Sequence, residues 1–412
     1  MTKSVGHHRA IVFAPFFSID VPANRPRFMA SVLAELMPVD VVTSGFDHGS
    51  KQKRQHRQCE PFAKVVYLKA RPYKNNVSPG RLISHMLFAF NAARYFKKHR
   101  NQYDVVYASA PLNELSWLLF RTAGKRTKII DVIDIWPDVL PFPQLLRRVL
   151  APFFALWKWF FKSGVHKADI VLAVSDQFLD EANKYANRSA TAKRFYIGHE
   201  ALLSSVPKQS VFTVAYVGNL GRLYDFETLL DVLAEPELRE QMQLFIIGEG
   251  DRQQWLVSQL EERNIRYRYF GAIFDAAKLA DILRSCHVGF NGYINISAAY
   301  SYKASTYFAA GLPIVNSMGG DLQRLVAELG LGESYKSGNR SELKEALLRM
   351  QRNGLEVLAE NCDRFFRAEL ELTSVRTRVK EFLVANLAAR PLTYLQEAQK
   401  CPDVILTSYR SS

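Results

Sequence analysis

The sequence predicts an α/β protein made of two Rossmann-like, doubly wound domains, and three observations support this fold class. The chain of 412 residues is too long for a single hydrophobic core. Short apolar runs alternate with longer amphipathic segments in both halves, which is the pattern of parallel sheets covered by helices. A polar segment at 204–210 separates the two series. We therefore place the domains at 1–203 and 204–390, followed by a tail at 391–412.

The first half alternates predicted strands and helices. Strands are expected at Ala10–Pro15, Val39–Thr43, Val65–Leu68, Val105–Ala108, Lys128–Val132 and Ile170–Val174. Helices are expected at Arg27–Leu36, Gly80–Lys98 and Glu114–Ala123. The strand candidates are short and rich in apolar, often β-branched residues, whereas the helix candidates are longer and amphipathic.

The second half repeats the alternation. Strands are expected at Thr213–Val217, Gln243–Ile247, Tyr267–Phe270, Val288–Asn291 and Leu312–Asn316. Helices are expected at Phe226–Leu233, Gln253–Arg263, Asp275–Arg284, Lys303–Ala310 and Ser341–Arg352, with a long helical region at Asn361–Ala388. Strands that alternate with helices in this way predict a second parallel sheet.

The net charge of +14 is unevenly distributed. Residues 1–200 contain 30 Lys and Arg against 15 Asp and Glu, whereas residues 201–412 contain 24 against 25. A one-sided basic field indicates an anionic partner for the first half, such as nucleic acid, anionic lipid or a phosphorylated acceptor. A basic surface that serves solubility is the alternative.

The cysteines and the hydropathy pattern indicate a cytoplasmic setting. Cys59, Cys286, Cys362 and Cys401 show neither paired nor metal-like spacing, as in a reducing compartment. The sequence shows no signal-like apolar region at its start and no apolar run of about 18 residues. We therefore expect neither secretion by a signal peptide nor a membrane-spanning helix.

The segment Ser301–Val315 is the most informative motif. It begins with hydroxyl side chains and Lys303, continues for about two helical turns and ends at Gly311-x-Pro313 before an apolar run. The first-turn N–H groups of a helix bind anions readily, but a lysine there is unfavourable for the helix dipole. A bound phosphate would compensate for the lysine, so the motif predicts a phosphate-binding helix.

A glycine-rich turn follows the first strand of the second half. Strand Thr213–Val217 leads into Gly218–Arg222 and then into an amphipathic helix. This arrangement lets the backbone approach a phosphate closely, although a simple tight turn explains it equally well. Arg222 offers a bidentate contact to a diphosphate. A second turn, Gly248–Gly250, follows the next strand.

Taken in order, these segments resemble the donor domain of GT-B glycosyltransferases, in particular the retaining family 4. The matching segments are Val217–Gly221, Ile247–Gly250, Tyr269–Ala272 and Ser301–Pro313, and upstream of them Asp131–Asp138 and Ala168–Ser175. The resemblance covers about residues 10–390. It implies the GT-B fold, with an acceptor domain first and a nucleotide-sugar domain second.

The resemblance also implies roles for individual residues. The implied donor contacts are Gly218, Asn219, Gly221, Gly248, Gly271, Ala272, Ile273, Ser301, Tyr302 and Thr306. Arg222 and Lys303 would stabilise the charge of the departing diphosphate. Asp134 is expected either to act in the catalytic site or to cap a helix. The family uses neither a metal nor a cofactor besides the donor, and no His, Cys or Asp cluster here has metal-ligand spacing.

The chain departs from the family pattern at several positions. Two glutamates eight positions apart are usual, and they fall on Ala298 and Thr306. The second normally holds the ribose hydroxyls, and Thr306 keeps only hydrogen-bonding capacity. The usual arginine and lysine of the glycine turn fall on Asn219 and Tyr224, which leaves Arg222 as the candidate replacement cation.

Three residues are predicted on the acceptor side. Asn24 and Arg25 precede the first helix, in a loop that faces the interdomain cleft in GT-B enzymes. They are expected to contact the acceptor or the donor phosphates; an arginine simply exposed in a loop is the alternative. His199 lies in the segment Tyr196–Glu200, where the family it resembles has a cleft-facing Asn-Gly loop. It is either a contact to the sugar or a linker histidine without a partner.

The segment Leu145–Lys162 combines bulky aromatic residues with flanking cations. This composition is typical of an interfacial membrane segment, and its position in the basic half favours an anionic membrane surface. A helix whose aromatic side packs against the sheet is the alternative.

These expectations combine into one functional hypothesis. The chain would transfer a sugar from a nucleotide-sugar donor to a glycan or lipid-linked acceptor in bacterial polysaccharide or lipopolysaccharide biosynthesis. It would work in the cytoplasm, peripherally bound to the inner face of the cell membrane. A non-catalytic scaffold that binds nucleotide sugars is the alternative, because both glutamates are lost. No nucleic-acid partner is expected, since charge alone supports one.

Overall fold

A computed structural model of the chain describes residues 9–19, 23–54, 60–75, 78–136, 144–296 and 300–388. These residues divide into two compact units. The first contains the described residues up to Val174, Phe178–Phe195 and the residues from Arg376 onward. The second contains Ser175–Gln177 and Tyr196–Val375.

The first unit is built on a seven-stranded parallel sheet in the order β3-β2-β1-β4-β5-β6-β7. Its strands are β1 Ala10–Phe13, β2 Val39–Ser44, β3 Ala63–Leu68, β4 Val105–Ala110, β5 Thr127–Val132, β6 Ile170–Ala173 and β7 Thr191–Arg194. Its helices are α1 Arg25–Ala34, α2 Pro79–His99, α3 Asn113–Thr122, α4 Gln144–Val149, α5 Ala151–Lys167 and α6 Asp176–Asn183. A short 3₁₀ turn, Arg100–Gln102, follows α2.

The second unit repeats this plan with a six-stranded parallel sheet in the order β10-β9-β8-β11-β12-β13. Its strands are β8 Phe212–Val217, β9 Met242–Ile247, β10 Tyr267–Tyr269, β11 Val288–Asn291, β12 Ile314–Asn316 and β13 Gly332–Ser334. The helices are α7 Phe226–Leu233, α8 Pro236–Arg239, α9 Gln253–Glu262, α10 Ala276–Ser285, α11 Tyr302–Ala309, α12 Asp321–Leu329, α13 Arg340–Arg352, α14 Glu356–Phe365 and α15 Leu372–Ala388. A π turn, Phe366–Leu370, joins the last two helices.

The predicted fold class is confirmed, since each unit is a doubly wound parallel sheet with flanking helices. The strands that the sequence misses are β7 and β13. Each is paired on one side only, at the edge of its sheet. Their sequences, Thr-Ala-Lys-Arg and Gly-Glu-Ser, lack an apolar run because an edge strand does not need two buried faces.

The limits of the units differ from the predicted boundary at residue 204. The chain enters the second unit at Tyr196, because Tyr196 and Leu202 are buried in its hydrophobic core. The last described helix, α15, returns to the first unit from Arg376 onward. There Arg376 and Lys380 form ion pairs with Glu35 of α1. The first unit therefore includes a segment that the sequence assigned to the second domain.

A buried polar group joins α1 to the sheet of the first unit. Arg25 is 3% exposed, and its guanidinium donates to both carboxylate oxygens of Asp131 at 2.8 and 3.4 Å. The hydroxyl of Tyr107 donates to the same carboxylate at 2.6 Å, and a further Arg25 N–H reaches the Phe195 carbonyl at 3.2 Å. This corrects the expectation of a loop arginine: the side chain is part of the core.

Replacement of Arg25 by leucine is expected to destabilise the first unit by about 3–5 kcal/mol, because the Asp131 carboxylate would remain buried without its cation. Urea unfolding followed by tryptophan fluorescence measures this loss, since four of the five tryptophans lie in the first unit. The control Lys184→Gln removes an exposed ion pair with Glu181 and is expected to change nothing measurable. Equal stability of the Arg25 variant and the wild type would contradict the role of this ion pair.

Candidate functional site

The predicted donor residues come together at the carboxyl edge of the second sheet. Strands β8 and β11 are neighbours at the point where the strand order reverses, and ligands bind α/β sheets at such a point. The glycine turn 218–222 follows β8, and α11 follows β11. The turns 248–250 and 271–273 follow β9 and β10.

The three glycine turns pack backbone against backbone. Gly248 has a φ of +138°, and a Cβ atom there would lie 1.8 Å from the Gly218 carbonyl oxygen. Backbone hydrogen bonds join the turns, from Leu220 N to Glu249 O at 2.9 Å and from Gly248 N to Gly271 O at 2.7 Å. A side chain at Gly248 would separate the turns, so the sequence uses glycine here for close approach.

Lys303 lies directly beneath the first of these turns. A Cβ atom on Gly218 would be 3.3 Å from Lys303 Cε, so the lysine stem packs against the glycine backbone. The ammonium group lies 3.6 Å from the ring centre of Tyr224, 4.1 Å from that of Tyr216 and 5.1 Å from that of Tyr293. Lys303 is 8% exposed, and its Nζ has no hydrogen-bond partner among the described residues.

The surroundings of Lys303 favour a bound anion. Burial holds the pKa of Lys303 well below its usual range, because a desolvated ammonium is costly. The three tyrosine rings offset part of that cost through cation–π contact. The lysine also lies in the first turn of α11, where the helix dipole disfavours a cation. An anion at this position would interact favourably with both the ammonium and the helix N-terminus.

A buried network of amide side chains, which the sequence did not predict, fixes the start of α11. Ser301 does not cap its own helix; its hydroxyl donates instead to Asn291 Oδ1 at 3.0 Å. Asn291 Nδ2 donates to Asn316 Oδ1 at 2.7 Å, and Asn316 Nδ2 donates to the Met318 carbonyl at 2.9 Å. Both asparagines end strands of the buried sheet, which is the signal that could have indicated them.

Tyr307 holds the other side of α11 against the sheet. Its hydroxyl donates to the Phe290 carbonyl at 3.0 Å and accepts from Val217 N at 3.0 Å. Its ring packs on Gly289, where a Cβ atom would lie 2.5 Å from the ring. Tyr307 thereby bonds to the last residue of β8, immediately before the glycine turn.

Thr306 and His199 form a pair. His199 Nδ1 donates to the Glu200 carbonyl at 2.6 Å, so its Nε2 accepts from the Thr306 hydroxyl at 3.1 Å. The imidazole stacks on Tyr302 with ring centres 5.3 Å apart, and burial lowers the pKa of His199. The interpretation of His199 as a linker histidine without a partner is therefore wrong. Its place in the second unit is beside donor-side residues, and the predicted contact to the acceptor remains a prediction.

The environment of Arg222 differs from that of Lys303. Its side chain is 86% exposed, and its Nε is 3.9 Å from an Asp251 carboxylate oxygen. Gly271 accepts from Gly248 as described, while Ala272 and Ile273 are half-buried at the end of the same edge. Ala298, the position of the first missing glutamate, lies outside the described residues.

The remaining predicted residues belong to the first unit. Asn24 caps α1 through Arg27 N at 3.0 Å and donates to the Phe16 carbonyl at 2.8 Å. Arg25 is buried against Asp131, so it has almost no surface to offer an acceptor. Asp134 accepts from Ile135 N and from Trp136 Nε1 at 3.0 and 2.9 Å, and burial raises its pKa.

Within the described ranges, no set of three or more His, Cys, Asp or Glu side chains is arranged to hold a metal ion. The two described cysteines, Cys286 and Cys362, are buried and free.

Comparisons with known proteins agree with this architecture. Residues 211–353 match the family described as Glycosyl transferases group 1. Sucrose-phosphate synthase from Thermosynechococcus elongatus superposes over 93% of this chain and 100% of its own, with 16% identity and a TM-score of 0.67. HepE from Anabaena, in complex with UDP and glucose, covers 92% and 100%, with 16% identity and a TM-score of 0.59.

A third structure extends the comparison. WaaG, a glycosyltransferase involved in lipopolysaccharide biosynthesis, superposes over 91% of this chain and 99% of its own, with 14% identity and a TM-score of 0.60. No curated protein sequence matches the chain. These findings are those expected of a GT-B glycosyltransferase. The chain has the fold of its GT-B structural neighbours, and residues 211–353 of its second unit match Glycosyl transferases group 1.

The packing of the glycine turns gives a testable prediction. Gly248→Ala is expected to cost the second unit at least about 3 kcal/mol, because the new methyl group would overlap backbone. Gly311→Ala is the matched control: its φ is also positive, at +65°, but a Cβ atom meets nothing within 4 Å. The Gly311→Ala control is expected to lower the free energy of unfolding by only about 1–2 kcal/mol.

Thermal unfolding of both alanine variants measures the difference. Similar losses in the two variants would show that positive φ, and not the contact between the turns, is what requires glycine at 248.

Proposed function

We propose that this glycosyltransferase takes its sugar from a nucleotide sugar whose diphosphate lies between Lys303 and the turn at Gly218. The observation that carries this proposal is the buried ammonium of Lys303, without a hydrogen-bond partner in the described part of the chain, packed against a glycine turn. The site lies at the strand-order reversal of a sheet whose domain matches Glycosyl transferases group 1.

The chemistry of sugar transfer requires such a group. Cleavage of the bond between the sugar and the diphosphate leaves negative charge on the diphosphate oxygens. Lys303 and the N–H groups at the start of α11 are already arranged by the fold, so they would stabilise that charge without reorganisation. We further propose retention at the anomeric carbon and no requirement for a metal or cofactor, as the family resemblance implies.

The acceptor proposed is a glycan or lipid-linked glycan of a bacterial cell surface. Support comes from the neighbours: WaaG is involved in lipopolysaccharide biosynthesis, and WaaB is a lipopolysaccharide outer core galactosyltransferase. HepE binds UDP and UDP-glucose, which makes UDP the first nucleotide to test.

Lys303→Met tests the diphosphate site directly. The variant is expected to weaken UDP binding by roughly 10- to 100-fold while uridine binding changes little. The unliganded variant is expected to be at least as stable as the wild type, because methionine removes a buried cation without a partner. Calorimetric titration with UDP and uridine, together with thermal unfolding, measures both effects.

Lys278→Met is the matched control, since Lys278 is exposed and lies in the first turn of α10. It should change neither affinity. An equal loss of UDP and uridine binding in the Lys303 variant would overturn the diphosphate assignment. A panel of UDP, GDP, CMP and ADP with their sugars extends the test to the other nucleotides.

A single-turnover assay separates the enzyme from the scaffold alternative. We expect sugar release from at least one nucleotide sugar, undiminished by excess EDTA. Binding of a donor without any release would favour a non-catalytic scaffold subunit.

We also propose that the first unit binds an anionic membrane surface. Helix α5 has a buried face and an exposed face. Phe154, Trp157 and Phe161 are buried, as expected if the aromatic side of the helix packs against the rest of the unit. Phe153, Leu156 and Trp159 on the same helix are exposed, as the membrane hypothesis requires. Each hypothesis therefore describes one side of α5.

A second exposed row, unnoticed in the sequence, lies on α2. Ile83, Met86, Leu87 and Phe90 are all 40% exposed or more. Both α2 and α5 pack against α3, in the half of the chain that carries the excess positive charge. The exposed cations Arg148 and Lys162 lie on α4 and α5. Exposed apolar rows with adjacent cations are the composition of an interfacial surface. No helix in the described part of the chain has the length and apolar character needed to cross a bilayer.

The variant Phe153→Ser/Leu156→Ser/Trp159→Ser is expected to lose binding to vesicles that contain phosphatidylglycerol, by about 10-fold or more, because each exposed side chain contributes apolar burial. The matched control Leu203→Ser/Leu329→Ser/Val357→Ser removes three exposed apolar residues from the second unit and should bind as the wild type does. Cosedimentation measures both, and circular dichroism shows that both variants are folded. Undiminished binding of the α5 variant would contradict the proposal.

A further inference from the structure

We propose that Tyr224 is a positioning residue of the diphosphate site, whose ring keeps the Lys303 side chain charged and beside the Gly218 turn. Tyr224 acts through Lys303 and does not itself bond to the nucleotide. This inference rests on the proposed function, because a diphosphate beside Lys303 is the ligand that this charge would serve.

The Tyr224 ring is the nearest of the three rings that surround the Lys303 ammonium. Its centre lies 3.6 Å from Lys303 Nζ, against 4.1 Å for Tyr216 and 5.1 Å for Tyr293. A cation within about 6 Å of a ring centre is attracted by the negative face of the ring, and the attraction is stronger when the cation is desolvated. Lys303 is 8% exposed, so its contact with Tyr224 belongs to the stronger, desolvated kind.

Backbone pairing holds the Tyr224 ring in this position. Tyr224 forms an antiparallel bridge with Tyr293, and Ile294 N donates to the Leu223 carbonyl at 2.9 Å. The bridge joins the segment after the first glycine turn to the segment after β11. The Tyr224 and Tyr293 ring centres are 5.0 Å apart, and Tyr216 meets the Tyr224 ring edge-on at 5.6 Å. The ring is therefore fixed by both segments that flank Lys303.

An aromatic ring suits this position because it stabilises a cation without cancelling its charge. A carboxylate in the same place would stabilise the ammonium more strongly, but it would also repel a phosphate. Lys303 Nζ has no hydrogen-bond partner among the described residues. Burial lowers the pKa of Lys303, with no contribution from a charged side chain in the part of the chain that the structure describes. The positive charge is therefore left for an anion.

The ring thereby affects the pH range over which Lys303 is charged. Burial favours the neutral amine, whereas the cation–π contact favours the ammonium. Only the ammonium attracts a diphosphate. The affinity for a nucleoside diphosphate is therefore expected to fall as the pH rises through the pKa of Lys303. Removal of the Tyr224 ring is expected to move that fall to lower pH.

The neighbouring titratable groups are neutral while Lys303 titrates. Burial raises the pKa of every tyrosine near the ammonium, so the hydroxyls keep their protons. On another side of α11, Thr306 is hydrogen-bonded to His199, and burial lowers the pKa of that imidazole, so it is neutral above pH 7. The tyrosines concerned are Tyr216, Tyr224, Tyr293 and Tyr307.

The nearby charged groups are either exposed or already bonded. The charged side chains of the glycine turns are exposed, so solvent screens them. Asp225 follows Tyr224 in the chain and is buried, but its carboxylate accepts from the Thr228 and Tyr335 hydroxyls at 2.6 and 3.1 Å and from Gly338 N at 3.0 Å. The exposed residues of the turns are Arg222, Glu249 and Asp251.

The experiment measures the UDP affinity of the full-length protein by calorimetric titration between pH 6 and pH 10. Tyr224→Leu removes the ring, whereas Tyr224→Phe keeps the ring and removes only the hydroxyl. We expect the leucine variant to bind UDP as the wild type does at pH 6 and about 10-fold more weakly at the alkaline end, with the fall moved about one pH unit lower. The phenylalanine variant is expected to follow the wild-type profile. Ionisation of UDP is the same in every titration and cancels in the ratio of affinities.

Two further variants test the direction of the effect. Tyr224→Trp is expected to move the fall to higher pH, because tryptophan makes the strongest cation–π contact. Lys303→Met has no ammonium to lose and is expected to show no such fall. The matched control is Tyr267→Leu, because Tyr267 is a half-buried tyrosine of β10 whose hydroxyl donates to Glu261 at 3.2 Å. It should keep the wild-type profile.

Uridine, which lacks the diphosphate, separates a positioning role from a structural one. A structural role for Tyr224 would lower the UDP and uridine affinities together at every pH and leave the midpoint of the fall unchanged, which would overturn the inference. An equal loss in Tyr224→Phe and Tyr224→Leu, or an unchanged midpoint in Tyr224→Trp, would also overturn it. Absence of UDP binding by the wild type at every pH would instead refute the diphosphate site itself.

Discussion

The arrangement at the carboxyl edge of the second sheet depends on one interaction, the burial of the Lys303 ammonium against the Gly218 turn. The lysine stem packs against the Gly218 backbone, where a Cβ atom would lie 3.3 Å from Lys303 Cε, and Tyr307 fixes α11 to β8. The interlocked glycine turns hold Gly218 in place, and the amide network around Ser301 fixes where α11 begins. Each of these features would lack a purpose if the lysine were an ordinary surface residue. A buried cation is costly to maintain, so the surrounding structure must over-determine it.

The same cation bears on how this chain departs from the family it resembles. The resemblance places a lysine at the position of Tyr224, and no cation remains there. In space, however, the Lys303 ammonium lies 3.6 Å from the centre of the Tyr224 ring. A positive charge therefore lies beside Tyr224 on a different element, whereas Arg222 is exposed. The position of the family's second glutamate is occupied by Thr306, whose hydroxyl is hydrogen-bonded to His199. A neutral pair therefore stands where the family has a carboxylate.

The sequence predicts the sheets well because their central strands are continuous apolar runs, as buried parallel strands must be. It predicts the helix around Lys303 because helix stop signals, and a lysine in the first turn of a helix, are local patterns. It does not predict β7 or β13, whose edge positions remove the need for an apolar run. It also places Arg25 in a loop, because its partner Asp131 is 106 residues away and no local pattern records that contact. The pairs Asn291–Asn316 and Thr306–His199 are missed for the same reason. What the sequence cannot indicate, therefore, is which polar residues meet across the fold.

Two buried cations show how the partners of a charged side chain distinguish a structural role from a binding role. Arg25 and Lys303 are almost equally buried, at 3% and 8% exposed. The guanidinium of Arg25 is saturated by a carboxylate and a carbonyl, so its charge is fully used in holding the first unit together. Among the described residues, the ammonium of Lys303 meets only aromatic rings, which offset part of the desolvation cost and supply no opposite charge. A fold that only needed stability would place an apolar residue there, because an apolar group of similar volume is often more stable than a buried charge. The cost of Lys303 is therefore evidence that something outside the chain supplies its counter-charge.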